Sequence, residues 1–157
     1  MQITELITEK EIIIDMKSRE KESVLSELLH RLEENSLLKN QDKVLGILLE
    51  REKLGSTGIG QGIAVPHAKT DQVDKLVCAL GISKTGVSFD SLDGEPVYII
   101  FLVLAPLGAT GDHLKALAKI ARLLKDRVFR NSLSGCKTPA EAYQIIREDE
   151  QRLDSLK

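Results

Sequence analysis

The sequence predicts an α/β fold: a single three-layer domain in which a mixed β-sheet carries helices on both faces. Three observations lead there. Short β-branched runs alternate with segments whose apolar residues recur at helical spacing. Residues 97–105 are apolar on both faces of any strand they form, so that strand must be central and covered from both sides. A chain of 157 residues suits one domain, and at this size it buries roughly 70% of its unfolded surface without a disulfide or metal staple.

The elements follow in order. Glu11-Ile12-Ile13-Ile14-Asp15-Met16 is short and β-branched, a strand. Ser18 is placed to cap a helix whose inward stripe is Val24, Leu25, Leu28, Leu29 and Leu32. Asn40 is placed to cap a second, with Val44, Leu45, Leu48 and Leu49 inward and Gly55 as its left-handed stop. Gly55, Gly58, Gly60 and Gly62 then make a stretch too glycine-rich for a helix, and Ile63-Ala64-Val65 a brief strand ending at Pro66. Strands are expected at 76–83 and 97–104, with a weak one at Val87-Ser88-Phe89. Asp112 is expected to cap a helix with Leu114, Leu117, Ala118, Ala121 and Leu124 inward. Thr138-Pro139-Ala140-Glu141 opens the last helix, as a capping box with proline at its first position. Residues 1–150 form the expected domain, and the polar tail 151–157 is expected to fray.

Composition excludes several functions. A formal charge of −2 argues against a nucleic-acid partner held by phosphate contacts. With 3% aromatics and no Trp there is no base-stacking platform either. The longest apolar run falls far short of the roughly 18 residues of a membrane span, so no direct membrane insertion is expected. Cys78 and Cys136 form no CxxC pair and suit a reducing cytoplasm, and MQITELITEKE has no signal-peptide character.

The glycine cluster invites two phosphate-loop readings, and both fail. Gly55 and Gly60 have the Walker A separation, but Gln61-Gly62 stands where Lys and Ser or Thr belong. Gly58-Ile59-Gly60 starts a dinucleotide fingerprint whose third glycine position is Ile63. The residues after the cluster carry more. His67 follows Pro66 at the expected end of a strand, where proline fixes its own φ and extends Val65. By position alone it fits an ordinary surface histidine. Arg51 leans toward the apolar face of its helix, as a snorkelling C-terminal cation or as a fork for an anion. His113 falls in the first turn of its helix, where the dipole favours the neutral ring. Together the three resemble a nucleophile, a cation and a polar partner around an anion. As a metal set they are poor, since two histidines lack a third ligand and Arg51 repels a cation.

GSTGIGQGIAVPHAK at residues 55–69, Leu49-Glu50-Arg51-Glu52 before it, and FLVLAP with His113-Leu114 and Leu117-Ala118 after it resemble the enzyme IIA proteins of the phosphoenolpyruvate-dependent sugar phosphotransferase system, of the fructose, mannitol and nitrogen-regulatory type. The resemblance covers nearly the whole domain. It implies that His67, the histidine of the A-[IV]-P-H motif, accepts a phosphoryl group on Nε2, while a backbone carbonyl holds Nδ1–H. It implies that Arg51 and His113 bind and stabilise that group, with no metal and no cofactor. The implied donor is an HPr-like phosphocarrier protein, and the implied recipient is an enzyme IIB or a set of regulatory targets. The nitrogen-regulatory branch is preferred over a transport subunit, with a non-catalytic binding module as a further alternative.

A phosphorylated histidine gains about −1.5 to −2 charges, so its site should be a shallow depression, ringed by Ile59 and Ile63. Lys115, Lys119, Arg122, Lys125, Arg127 and Arg130 read as one basic stripe opposite the apolar face, a solvated surface or, less simply, a docking surface for an acidic partner.

Overall fold

A computed structural model describes residues 1–156. Its six strands are β1 (Ile12–Ile13), β2 (Gly58–Gly60), β3 (Ile63–Ala64), β4 (His67–Lys69), β5 (Val77–Val87) and β6 (Val97–Ala105). The five helices are α1 (Lys21–Glu34), α2 (Gln41–Lys53), α3 (Thr110–Leu124), α4 (Arg127–Ser134) and α5 (Pro139–Ser155). Sheet order is β1-β5-β6-β3-β2, with β4 also pairing β6. Strands β5 and β6 are antiparallel, whereas β1 joins β5, and β3 and β4 join β6, in parallel. The expected mixed sheet is therefore present, and β6 is its central strand.

Alternation along β5 and β6 sorts the two cores. Ala79, Ile100, Leu102 and Leu104 pack with Leu25, Leu28 and Leu32 of α1 and Val44 and Leu48 of α2. Cys78, Leu80, Ile82, Ile99, Phe101 and Val103 face the other way, toward α3, α4 and α5. The side-chain period of two in a strand makes this division. At Gly81 a Cβ would lie 2.9 Å from Met16 Sδ, so glycine there lets the first layer sit close to the sheet.

Several local expectations hold and others shift. Asn40 accepts from Lys43 N and Thr138 from Glu141 N, as helix caps do. Ser18 does not cap α1; the chain stays extended to bridge Glu20 with Ser88, and the helix opens at Lys21. Gly55 has φ 150°, outside the compact left-handed well. Of the weak strand expected at 87–89, Val87 ends β5, Ser88 makes only an isolated bridge with Glu20, and Phe89 lies in no strand. Asp112 lies inside the first turn of α3, which Ala109 precedes without a side-chain cap. The buried face of α3 is His113, Ala116, Ile120, Leu123 and Leu124, while Leu114 is 62% exposed. Asp126 caps α4 by accepting from Val128 N, which divides the basic stripe between two helices. The polar C-terminal stretch is helical through Ser155, because buried Glu150 accepts from Ile3 N (2.5 Å) and Thr4 N (3.3 Å). Lys157 lies outside the described residues.

Candidate active site

Residues 58–69 form three short strands, β2, β3 and β4, the last two separated at Val65-Pro66. Gln61 (φ 58°) and Gly62 (φ 78°) make the two-residue turn between β2 and β3, the pair of left-handed positions that a tight hairpin requires. Asp93 fixes this turn by accepting from Gln61 N at 3.1 Å. Pro66 has no N–H to donate and interrupts the ladder between β3 and β4. Pairing with β6 nevertheless continues in register, from Ala64 opposite Ile100 to His67 opposite Val103. His67 thus opens a strand, whereas the sequence suggested that it closed one.

The same alternation aims the site. Ala64 and Ala68 face α1 and α2, while Ile63 and Val65 face α3. His67, in phase with Val65, stands on the α3 side. Its Nδ1 is 2.8 Å from the carbonyl oxygen of Val65. A carbonyl only accepts, so Nδ1 carries the hydrogen, and in the neutral ring Nε2 is left with the lone pair. The His113 ring meets the His67 ring edge-on, with centroids 5.6 Å apart. His113 is buried, and its Nε2 has no hydrogen-bond partner among the described residues. Burial foremost, then the charges of His67 and Lys69, holds its pKa below the ordinary histidine value.

Arg51 approaches from α2, in the opposite layer. Its Nη1 donates to Gly55 O at 2.8 Å, which ties the guanidinium to the turn after its own helix. Arg51 and His67 line one open depression of about 210 Å³ with Ser56, Thr57, Ile59, Val65, Leu117 and Ala121. All three residues singled out from the sequence therefore converge. The apolar ring departs from expectation at Ile63, which is buried in the core; Val65, Leu117 and Ala121 take its place beside Ile59.

Two features were not read from the sequence. Glu52 is buried and accepts from Thr57 N (3.1 Å) and from the Thr57 hydroxyl, with Lys21 Nζ at 3.2 Å. This carboxylate clamps the glycine segment to the end of α2, next to Arg51. Its signal was present, since Glu52 follows Leu48 by four residues on the inward row of α2. Lys69 stands two positions beyond His67 and donates to Thr110 Oγ1 at 3.1 Å, adding a cation at the start of α3. Among the described residues no cluster of three His, Cys, Asp or Glu side chains could hold a metal.

The depressed pKa of His113 gives a stability test. A histidine with a folded pKa below its unfolded value binds fewer protons in the native state, so stability falls as pH drops through the unfolded pKa of about 6.5. The urea midpoint of the wild type should therefore fall more between about pH 7.5 and about pH 5.5 than that of His113→Leu, which has no ring to titrate. Parallel falls in the two proteins would show that the ring is not held neutral by burial.

The three-layer α/β domain thus brings the free ring nitrogen of His67 and the side chain of Arg51 to one open depression, with the His113 ring against that of His67. The chain belongs to the EIIA 2 family of the phosphoenolpyruvate-dependent sugar phosphotransferase system, whose pattern it matches over residues 5–149. The general function of that family is that of a phosphocarrier, and its context implies phosphotransfer involving HPr-like and EIIB-like proteins. The chain is 38% identical over 146 residues to a nitrogen regulatory protein of Bradyrhizobium diazoefficiens, covering 93% of this chain and 95% of that one. It is equally 38% identical over 151 residues to the fructose-specific EIIABC component of Bacillus subtilis, covering 96% of this chain but only 24% of that longer protein. The crystal structure of nitrogen regulatory protein IIA-Ntr from Neisseria meningitidis superposes with a TM-score of 0.84 at 37% identity, covering 92% of this chain and 98% of the other. No helix among the described residues is long and apolar enough to cross a membrane.

Proposed function

We propose that residues 1–150 act as a cytoplasmic phosphohistidine carrier in which His67 accepts a phosphoryl group from an HPr-like donor. The observation that carries this reading is the bond from His67 Nδ1 to Val65 O, which leaves Nε2 as the free nucleophile in the depression lined by Arg51. The Nε2 lone pair forms the new P–N bond while the donor's P–N bond breaks and returns its electron pair to the donor imidazole. The transition state is loose, so the protein supplies position and charge. Arg51 binds equatorial oxygens with its fork. The unpartnered Nε2 of His113 gains an acceptor when the phosphoryl group arrives, relieving a desolvation penalty of about 1–3 kcal/mol.

The phosphoryl group then passes to an enzyme IIB or marks a regulatory state. The nitrogen-regulatory reading is supported by relatives of that name matched over nearly their whole length. Transport is the second reading, supported by the fructose-specific relative at equal identity. Long-range proton–nitrogen correlation spectra of the phosphorylated protein test the atom assignment. Phosphorus coupling is expected at Nε2 of His67, and coupling at Nδ1 or at another histidine would refute the assignment.

A further inference from the structure

We propose that Glu52 is a positioning residue that sets the acceptor His67 and the cation Arg51 in register through two separate hydrogen-bonded routes. The proposal rests on the phosphocarrier reading and adds the group that holds the two sides of the site together. Glu52 follows Arg51 in sequence, and successive residues of a helix point about 100° apart. Arg51 therefore lines the depression, while the Glu52 carboxylate turns inward and is buried. The first route ends at His67. Glu52 accepts from Thr57 N at 3.1 Å and from the Thr57 hydroxyl. The carbonyl of Thr57 accepts from Val65 N at 3.0 Å. The carbonyl of Val65 in turn accepts from His67 Nδ1 at 2.8 Å. Val65 lies between β3 and β4, and the bond to Thr57 is what anchors its N–H there.

The second route ends at Arg51. The backbone carbonyl of Glu52 accepts from Gly55 N at 3.1 Å, and Gly55 O accepts from Arg51 Nη1 at 2.8 Å. Glu52 thus grips the turn after α2 at Gly55 and again at Thr57, so the oxygen that receives the guanidinium is presented at a fixed place. Charge is arranged to match. An unpaired carboxylate here would draw Arg51 away from an incoming anion. Lys21 answers that charge from the start of α1, with Nζ 3.2 Å from Glu52 and 3.5 Å from Asp90. The same ammonium lies 5.0 Å from the centre of the Phe89 ring. Among the described residues Arg51 forms no ion pair, which leaves its fork for phosphoryl oxygens. A buried carboxylate with two donors and a cation is satisfied and rigid. Such rigidity holds a nucleophile and a charge stabiliser at one separation before the substrate arrives.

The test pairs two measurements on the full chain. One is single-turnover uptake from the purified, phosphorylated HPr-like carrier of the source organism, over a range of donor concentrations. The other is the nitrogen spectrum of the unphosphorylated His67 ring at mildly alkaline pH, where histidine rings are neutral. Glu52→Gln keeps the shape and loses the charge and one acceptor oxygen; Thr57→Val removes only the hydroxyl donor. Both should lower the maximal rate about 10-fold to 10²-fold, with the half-saturating donor concentration within about twofold of wild type. Thr57→Ser, the conservative variant, should recover most of the rate that Thr57→Val loses. The wild-type ring should carry its proton on Nδ1, and the two impaired variants should show both tautomers. A clamp that only stabilises the fold would lower thermal midpoints and leave rate and tautomer as in the wild type, which overturns the proposal. A raised half-saturating concentration at an unchanged maximal rate would place Glu52 in donor binding and overturn it too. If Glu52→Gln does not fold, Thr57→Val against Thr57→Ser decides on the same two readouts. Failure of the charged carrier to label the wild type at all would instead refute the phosphocarrier reading itself.

Discussion

Arg51→Ala is expected to slow phosphoryl uptake by about 10²–10³-fold while leaving the fold in place. Loss of a single charged donor aimed at developing phosphoryl charge accounts for that size. The structural cost is small, because the half-buried side chain makes one hydrogen bond, to Gly55 O, worth about 1 kcal/mol. Arg51→Lys should recover only part of the rate, since a point charge cannot engage two oxygens as a fork does. Single-turnover labelling of the three proteins at one pH, with thermal midpoints beside it, separates the effects. A rate for Arg51→Ala within about threefold of wild type would reduce Arg51 to a helix-terminal cation.

Phe101→Ala is expected to cost about 3–5 kcal/mol. Phe101 is fully buried on β6, opposite Leu80 of β5, in the core shared with Ile120, Leu124 and Phe129. Every neighbouring strand of this part of the sheet is ordered against β6, so collapse around the missing ring is hindered on both sides. At about 2–4 °C per kcal/mol for a chain of this length, the thermal midpoint should drop by roughly 10 °C. Phe101→Leu, which refills most of the volume, should lose less than half as much. A midpoint for Phe101→Ala within about 2 °C of wild type would mean that the central strand does not bear the core packing assigned to it.

Much of this architecture is legible in the chain because its determinants are local. Asn40 and Thr138 cap their helices through side chains that reach only three residues ahead, and five inward leucine and valine positions of α1 follow its period. β6 is buried at every position but Tyr98, as its unbroken apolar run requires. Where tertiary contacts decide, local reasoning slips. Ser18 has cap chemistry, but the bridge from Glu20 to Ser88 delays α1. On α3 two apolar rows compete, and the polar His113 hides the one that is buried. The misread row, Leu114 to Ala121, is the one exposed beside the site.

The site divides in the same way. His67, Arg51 and His113 could be named because each has a special residue type at a marked place in its element. The clamp of Glu52, Thr57 and Lys21 joins the ends of two helices and the glycine segment, a meeting that no linear spacing reveals for Lys21. Which nitrogen of His67 is free depends on a carbonyl only two residues away, yet the backbone must fold before that contact exists.

Intact-mass analysis after incubation with phosphoenolpyruvate, enzyme I and the HPr-like carrier, on wild type and His67→Ala, tests the central assignment most directly. One acid-labile phosphoryl group is expected on the wild type and none on the variant, with unchanged circular dichroism showing that the variant is folded. A phosphoryl group retained by His67→Ala, or none on the wild type under a donor shown to be charged, would contradict the assignment of His67 as the acceptor.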